Sequence, residues 1–370
     1  MVTPPAEEFV DFRIGQPSLP LLPVDAFKQA CAAALEEGPE LLQYGLPEGY
    51  ASFRADLATF LSTQYGTEVH AESLAITNGA TSGLDLVCCM RTKPGDVVIV
   101  EDPTYFLALG VFRDRHLKVE TVPMTPDGMD LDALQSMLED GLRPSLVYTI
   151  PVFHNPTGYT MPPANRRRLL ELAHRYGFTV AADEPYQLLG FDSAAPPPPP
   201  LVTGDSHDVV VSIGSFSKIL APGARIGWIH SGPAAAAMPS VGLVDSGGGL
   251  NPFMCAVVHR LLVSGALEAN VRALRDELGR RCAALCGALA ARLPEGFTGF
   301  PRPSGGYFVF LTLDPPLKAR ALSAEGIVVL DGTVCSASGL DTNTIRLSFS
   351  AYTPEDLEVG AKRLGAALRG

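Results

Sequence analysis

Short apolar runs alternate with longer stretches of helical periodicity through the middle of the chain. Ser73–Thr77 is apolar and leads into a helical pattern from Thr81 to Arg91. Val97–Val100 is a β-branched run, Leu146–Ile150 is another, and Arg166–Tyr176 then reads as a helix. Phe178–Ala182, the strongly apolar Val209–Ile213 and the shorter Arg225–His230 complete the series. Strands that are apolar without alternation are buried on both faces, and strands interleaved with helices pair in parallel. The rhythm therefore predicts an α/β protein with a mainly parallel, doubly wound sheet. Towards the C-terminus the pattern changes. Ala/Leu-rich helical text over Leu267–Arg292 gives way to strand-like runs at Tyr307–Leu313, Ile327–Leu330 and Thr344–Ser350, and a final helix starts at Pro354. This predicts a smaller α+β domain. The expected division is 38–255 for the large domain, with 1–37 and 256–370 forming the small one.

Composition narrows the class of protein. A chain of 370 residues with 46% hydrophobic and 18% charged residues can bury a sizeable core in two domains. Its 28 basic against 40 acidic residues give a net charge of −12, the wrong sign for a nucleic-acid or anionic-membrane surface. No apolar run reaches the ~20 residues that cross a bilayer, and MVTPPAEEFVDF lacks the basic and apolar regions of a secretory signal. The expected location is cytoplasmic. Seven Cys, an odd count with no CxxC pair, speak against a disulfide framework or zinc knuckle, and the scattered His show no metal-ligand spacing. No metal is expected. Cys282 and Cys286 share a helix face and read as packing. The Pro196–Pro200 run reads as an extended surface loop, while Ser246–Asn251 is either a linker or a loop at the substrate mouth.

Candidate chemistry collects just after the apolar runs, where open α/β sheets bind ligands. After the first comes Asn78-Gly79-Ala80-Thr81 opening a helix, either an ordinary cap or an anion cradle of backbone N–H groups. After the second comes Tyr105, a core tyrosine or a ring stacker. Asn155-Pro156-Thr157-Gly158 follows the third, as a bare turn or as hydrogen-bond donors. Asp183-Glu184-Pro185-Tyr186 follows the fourth, where a carboxylate in so apolar a setting needs a partner. After the fifth comes Ser215-Phe216-Ser217-Lys218, with Pro222-Gly223 and Arg225 beyond it. A lone lysine is usually solvated. One flanked by two hydroxyls, a glycine turn and an arginine fits phosphate binding beside an amine nucleophile. There is no GxGxxG or P-loop string for a nicotinamide or triphosphate cofactor.

Phosphate donors, a ring stacker, a carboxylate and a lysine on one rim are the set that pyridoxal 5'-phosphate needs. With SxSK…PGxR, NPTG and DEPY in this order, the chain resembles a fold-type I PLP-dependent aminotransferase of the class I/II group. The likeness runs from Ile14-Gly15-Gln16-Pro17 to Ile345-Arg346-Leu347-Ser348. The resemblance implies that Lys218 forms the Schiff base and shuttles the substrate proton, and that Asp183 pairs with the pyridine nitrogen. It implies that Asn155 and Tyr186 bond the ring oxygen and that Tyr105 stacks on the ring. Gly79, Ala80, Thr81, Ser215, Ser217 and Arg225 would hold the phosphate, joined by Tyr44 from the neighbouring subunit of a homodimer. Arg346, with Gly15 and Asn155, would clamp the substrate carboxylate, a task suited to a bidentate guanidinium. The implied reaction is transamination between an amino acid and a 2-oxo acid. A PLP-dependent C–S β-lyase or related lyase/synthase is the alternative on the same residues. A PLP-sensing regulatory domain, which carries an upstream helix-turn-helix, is further off, because few residues precede Tyr44 and the chain is acidic. The sequence does not choose the amino acid or oxo acid.

Overall fold

The protein's structure, a computed structural model, describes residues 9–293, 300–313, 319–340 and 343–369. Residues 1–8, which carry most of the N-terminal stretch weighed as a leader, lie outside them. Eight strands form the main sheet in the spatial order Leu74–Thr77, Gly227–His230, Val210–Ser215, Thr179–Asp183, Leu146–Thr149, Val97–Asp102, Lys118–Thr125 and Gly128–Met129. From Val210–Ser215 to Lys118–Thr125 every pairing is parallel, as the interleaved helices require. Gly227–His230 runs against both of its neighbours. The link from Ser215 to Gly227 holds only a turn and a short 3-10 helix, too little for a crossover back to a parallel strand.

Alternation along each strand explains why the sheet is wound on both faces. Val98 and Val100 point to one side, where Leu84, Val87 and Phe112 from helices Ala80–Arg91 and Phe106–Asp114 cover them. Ile99, between them, points to the other side. There Leu134, Leu138, Leu169 and Leu172 from helices Leu131–Glu139 and Pro163–Tyr176 pack. Local chemistry sets these helix ends. The Asp130 carboxylate accepts from the backbone N–H groups of Asp132 and Ala133, and Gly177 closes Pro163–Tyr176 at φ 74°, where a side chain would be strained.

A second, three-stranded antiparallel sheet joins Phe308–Thr312, Thr344–Ser348 and Leu330–Asp331. The sequence pattern predicts one strand over Ile327–Leu330, and the structure corrects this. Ile327–Val328 pairs in parallel with Val10–Asp11, whereas Leu330–Asp331 pairs with Thr344–Ser348. The buried Val329 marks the change of sheet. Helix Ala266–Arg292 packs along Pro354–Ala367, so closely that a Cβ on Gly365 would stand 2.5 Å from the Arg292 carbonyl oxygen. The proline run is an irregular, largely exposed loop, tethered at two of its carbonyls. Arg166 Nη1 donates to the Pro199 carbonyl at 2.6 Å, and Gln187 Nε2 donates to that of Pro198 at 2.8 Å. Among the described residues, no single helix is long and apolar enough to cross a membrane.

Candidate active site

A cavity of about 290 Å³ opens at the carboxyl ends of the parallel strands, between the main sheet and the three-stranded one. Its walls bring together Gly15, Ala80, Thr81, Tyr105, Asn155, Asp183, Tyr186, Ser215, Ser217, Lys218, Arg225 and Arg346. Gly79 caps the helix that supplies Ala80 and Thr81. Tyr44 is elsewhere, on an exposed loop and 87% accessible.

Lys218 follows the last parallel strand and turns inward. Its Nζ donates to the Gly15 carbonyl at 2.6 Å and lies 5.6 Å from the centre of the Tyr307 ring. The Tyr307 hydroxyl in turn donates to the Lys218 carbonyl at 2.9 Å. Burial, reinforced by the positive charge of Arg346, lowers the ammonium's pKa to about 8. About a tenth of the amine is then free base at pH 7, far more than for an ordinary lysine.

Asp183 ends its own strand in the cavity wall. One carboxylate oxygen, Oδ2, accepts from the Tyr148 hydroxyl at 2.8 Å, and the other, Oδ1, is buried without a partner. Burial raises this carboxyl to about 6, against the opposing pull of the Tyr148 hydrogen bond and the Lys218 charge. Tyr186 is buried, and desolvation drives its phenol well above the usual value, with Tyr105 adding to the effect.

Arg346 is nearly enclosed. Nη1 donates to Asn155 Oδ1 and Nη2 to the Arg13 carbonyl, both at 2.9 Å, while the guanidinium lies 4.1 Å over the Phe308 ring. Burial lowers its pKa from the ordinary arginine value, yet it stays cationic at any working pH. The close approach needs Gly15: a Cβ there would stand 2.9 Å from the Phe308 ring and 3.8 Å from Arg346 Nη2. Behind Asn155, buried His154 and Glu101 bring Nε2 and Oε2 to 3.0 Å.

The opposite end of the cavity is an anion cradle. Arg225, held at φ 53°, sends Nη2 to the Asn78 carbonyl at 3.2 Å and lies so close to Gly79 that a Cβ would meet it at 2.8 Å. The start of helix Ala80–Arg91 aims its free N–H groups into the same end, beside Ser215 and Ser217. The glycine-rich stretch is tied to this end, because Asn78 Nδ2 donates to the Gly249 carbonyl.

Several lining residues carry no sequence signal of their own. Arg13 lines the cavity rim, its guanidinium paired with Asp11 at 2.7 Å, and Phe106, Leu107 and Phe308 give the rim an apolar wall. The loop before the Arg346 strand is also fastened to the turn that bears Tyr105: Ser336 Oγ donates to Asp102 Oδ2 at 3.2 Å, and the Ser338 hydroxyl donates to the same oxygen. Among the described residues, no group of three or more His, Cys, Asp or Glu side chains gathers in a metal-holding arrangement.

Known proteins resemble the chain along almost all of its length. Residues 7–364 match the family described as aminotransferase class I and II. The aromatic-amino-acid aminotransferase 1 of Thermococcus litoralis is 32% identical over 369 residues, covering 96% of this chain and 87% of that one. The 2-aminoadipate transaminase of Thermus thermophilus is 34% identical over 369 residues, covering 98% and 90%. Among solved structures, the kynurenine aminotransferase of Pyrococcus horikoshii superposes with a TM-score of 0.89 at 30% identity, covering 98% of this chain and 92% of that one.

Proposed function

The chain belongs to the class I and II aminotransferases, and from that membership we propose that this cavity binds pyridoxal phosphate and moves an amino group between an amino acid and a 2-oxo acid. The observation that carries the reading is the convergence, in one cavity, of a half-buried amine lowered to about 8 and a buried carboxylate with one unpartnered oxygen. An anion cradle and an enclosed guanidinium close the two ends of that cavity.

The residues fit the cofactor by charge and by space. The cradle that a Cβ at Gly79 would fill suits a phosphate, held by Thr81, Ser215, Ser217, Arg225 and the backbone N–H groups of the helix start. The unpartnered Oδ1 of Asp183 suits a protonated ring nitrogen. Tyr105 would lie against the ring, while Asn155 and Tyr186 would bond its oxygen. Lys218 would hold the cofactor through Nζ until the substrate amine takes its place. When bound, pyridoxal phosphate supplies an electron-withdrawing ring conjugated to the substrate nitrogen.

The protein's own work is binding, orientation and proton transfer. Arg346, with Asn155 and the Gly15 backbone, holds the substrate carboxylate and so fixes which Cα bond faces Lys218. Nζ of Lys218, once the substrate amine has displaced it from the cofactor, is the base placed to accept the Cα proton. We assign 38–255 to the cofactor-binding domain, and 1–37 with 256–370 to the smaller one. In support, the main sheet spans Leu74–His230, and Val10–Asp11 pairs with Ile327–Val328.

The reading is tested at its carboxylate clamp. Arg346→Ala is expected to raise the KM for amino acids about 10- to 100-fold, the value of charge-assisted hydrogen bonds of ~1.5–3 kcal/mol. Cofactor binding stays intact, and an amine without the carboxylate is nearly indifferent. Equal losses for both kinds of substrate remove Arg346 from the site.

A homodimer with shared sites belongs to the same proposal. Tyr44 is 87% exposed between Leu42 at 67% and Leu46 at 52%, an apolar surface that suits a second copy of the chain, whose phosphate cradle Tyr44 would then complete. Mixing inactive Lys218→Ala subunits with Tyr44→Phe subunits is expected to raise activity above either parent at limiting cofactor. Each hybrid collects both lesions in one site and leaves the other whole. No gain on mixing, or a fully active monomer by sedimentation, sinks the shared site.

A further inference from the structure

Tyr148 belongs to a strand that the sequence reads as plain core, and the mechanism above makes no use of it. Both neighbouring strands cover it and its side chain is inaccessible, yet its hydroxyl is not a passenger. A buried phenol needs a hydrogen-bond partner, and here the partner is the Asp183 Oδ2 oxygen at 2.8 Å. The ring itself is fixed by Phe112, which meets it edge-on with centroids 5.5 Å apart. Asp183 has no other hydrogen-bonding side chain among the described residues, and its second oxygen, Oδ1, is left bare in the cavity wall.

We propose that Tyr148 is a positioning residue: its hydroxyl holds Oδ2 so that the bare Oδ1 faces the ring-nitrogen end of the cavity, and it keeps the carboxylate ionised there. The proposal rests on the pyridoxal phosphate reading of the site. Its physics has two parts. A carboxylate bonded through one oxygen cannot rotate to offer the other elsewhere without breaking that bond, so the phenol selects the oxygen presented to the ligand. A donor to a carboxylate also favours the charged form and opposes the upward pull of burial. Burial alone dominates at Asp183, raising it to about 6, and the Tyr148 hydrogen bond is the largest influence in the other direction, ahead of Lys218. Lys218, Tyr105, Tyr186 and Glu184 are the other titratable groups that interact with Asp183, with Arg225 and Arg346 acting on the first two of these. The site therefore carries cations that act on the lysine as well as the carboxylate, so the hydroxyl's contribution has to be isolated by difference.

The test uses pyridoxine 5'-phosphate, which keeps the ring nitrogen and phosphate but has no aldehyde and cannot bond to Lys218. Its affinity for the cofactor-free protein is measured by calorimetry across pH in four proteins: wild type, Tyr148→Phe, Asp183→Asn and the double variant. Tyr148→Phe removes only the hydroxyl and keeps the ring against Phe112. Losing the donor leaves the carboxylate free to turn Oδ1 away and easier to protonate, and together these are expected to weaken binding at pH 7 about tenfold. The acid limb, where binding fails as Asp183 protonates, is expected to move up by about one pH unit, since removing the donor raises the carboxyl. In the Asp183→Asn background, which has no carboxyl here to titrate, the same substitution is expected to change affinity little at any pH. A tenfold loss of equal size in both backgrounds would make Tyr148 a packing residue and overturn the proposal, as would identical pH profiles for wild type and Tyr148→Phe. Failure of wild type to bind the probe at all overturns the cofactor reading and takes this proposal with it, an outcome distinct from the other two.

Discussion

Lys218→Ala is expected to abolish turnover and to erase the visible absorbance of the lysine-bound cofactor, while the protein remains folded. Nζ is the one amine in the cavity, held at 2.6 Å from the Gly15 carbonyl and lowered to about 8 by burial. Two functions disappear with it. General acid–base transfer at Cα is worth ~10²–10⁴-fold by itself, and covalent attachment of the cofactor is lost besides. Folding does not depend on the amine in the same way. The half-exposed amine bonds only the Gly15 carbonyl, so alanine there is expected to leave the melting temperature of the cofactor-free protein within a few degrees of wild type (~1 kcal/mol or less). Turnover, absorbance and thermal melting are read on the same preparation. A variant that keeps a borohydride-trappable cofactor and full activity removes Lys218 from the chemistry.

Asp183→Ala is expected to retain some cofactor and lose most of its catalysis. The phosphate cradle around Arg225 and the Ala80–Arg91 helix start is untouched, so binding energy at that end persists. The carboxylate that would hold the ring nitrogen protonated is gone, and removing an electrostatic partner of this kind typically costs ~3 kcal/mol or more of barrier, about two decades in kcat. Single-turnover rates at saturating cofactor measure this directly. Near-normal kcat contradicts the role assigned to Asp183. Neutral asparagine at this position is expected to resemble alanine in rate, because the charge carries the effect.

Much of this was readable in the chain because the fold puts chemistry where strands end. An apolar run buried on both faces has no polar side chain to spare, so Asp183, Asn155 and Lys218, each just beyond such a run, stood out against their surroundings. Parallel pairing followed from the same runs. What stayed hidden depends on contacts distant in sequence. Tyr148 lies inside an apolar run, and its partner is Asp183 on the next strand. Its one available signal was a phenol in a strand with no exposed face. Arg13 enters the rim only because Val10–Asp11 pairs with Ile327–Val328, and the Asp102 clasp on Ser336 and Ser338 joins segments more than two hundred residues apart. The break at Val329 was invisible for a related reason: the run of apolar residues is continuous, and only the two separate partner strands divide it. The tethering of the proline loop was not readable, because prolines lack N–H donors but keep their carbonyls, and Arg166 and Gln187 use two of them.

The measurement that tests transamination most directly is one round of reaction with cofactor-loaded protein, a single amino acid and no oxo acid. The expected result is one equivalent of the corresponding 2-oxo acid per active site, no free ammonia, and then arrest until an acceptor oxo acid restarts turnover. Continued release of ammonia and a 2-oxo acid from the amino acid alone, with no acceptor present, contradicts transamination and assigns the site to a lyase.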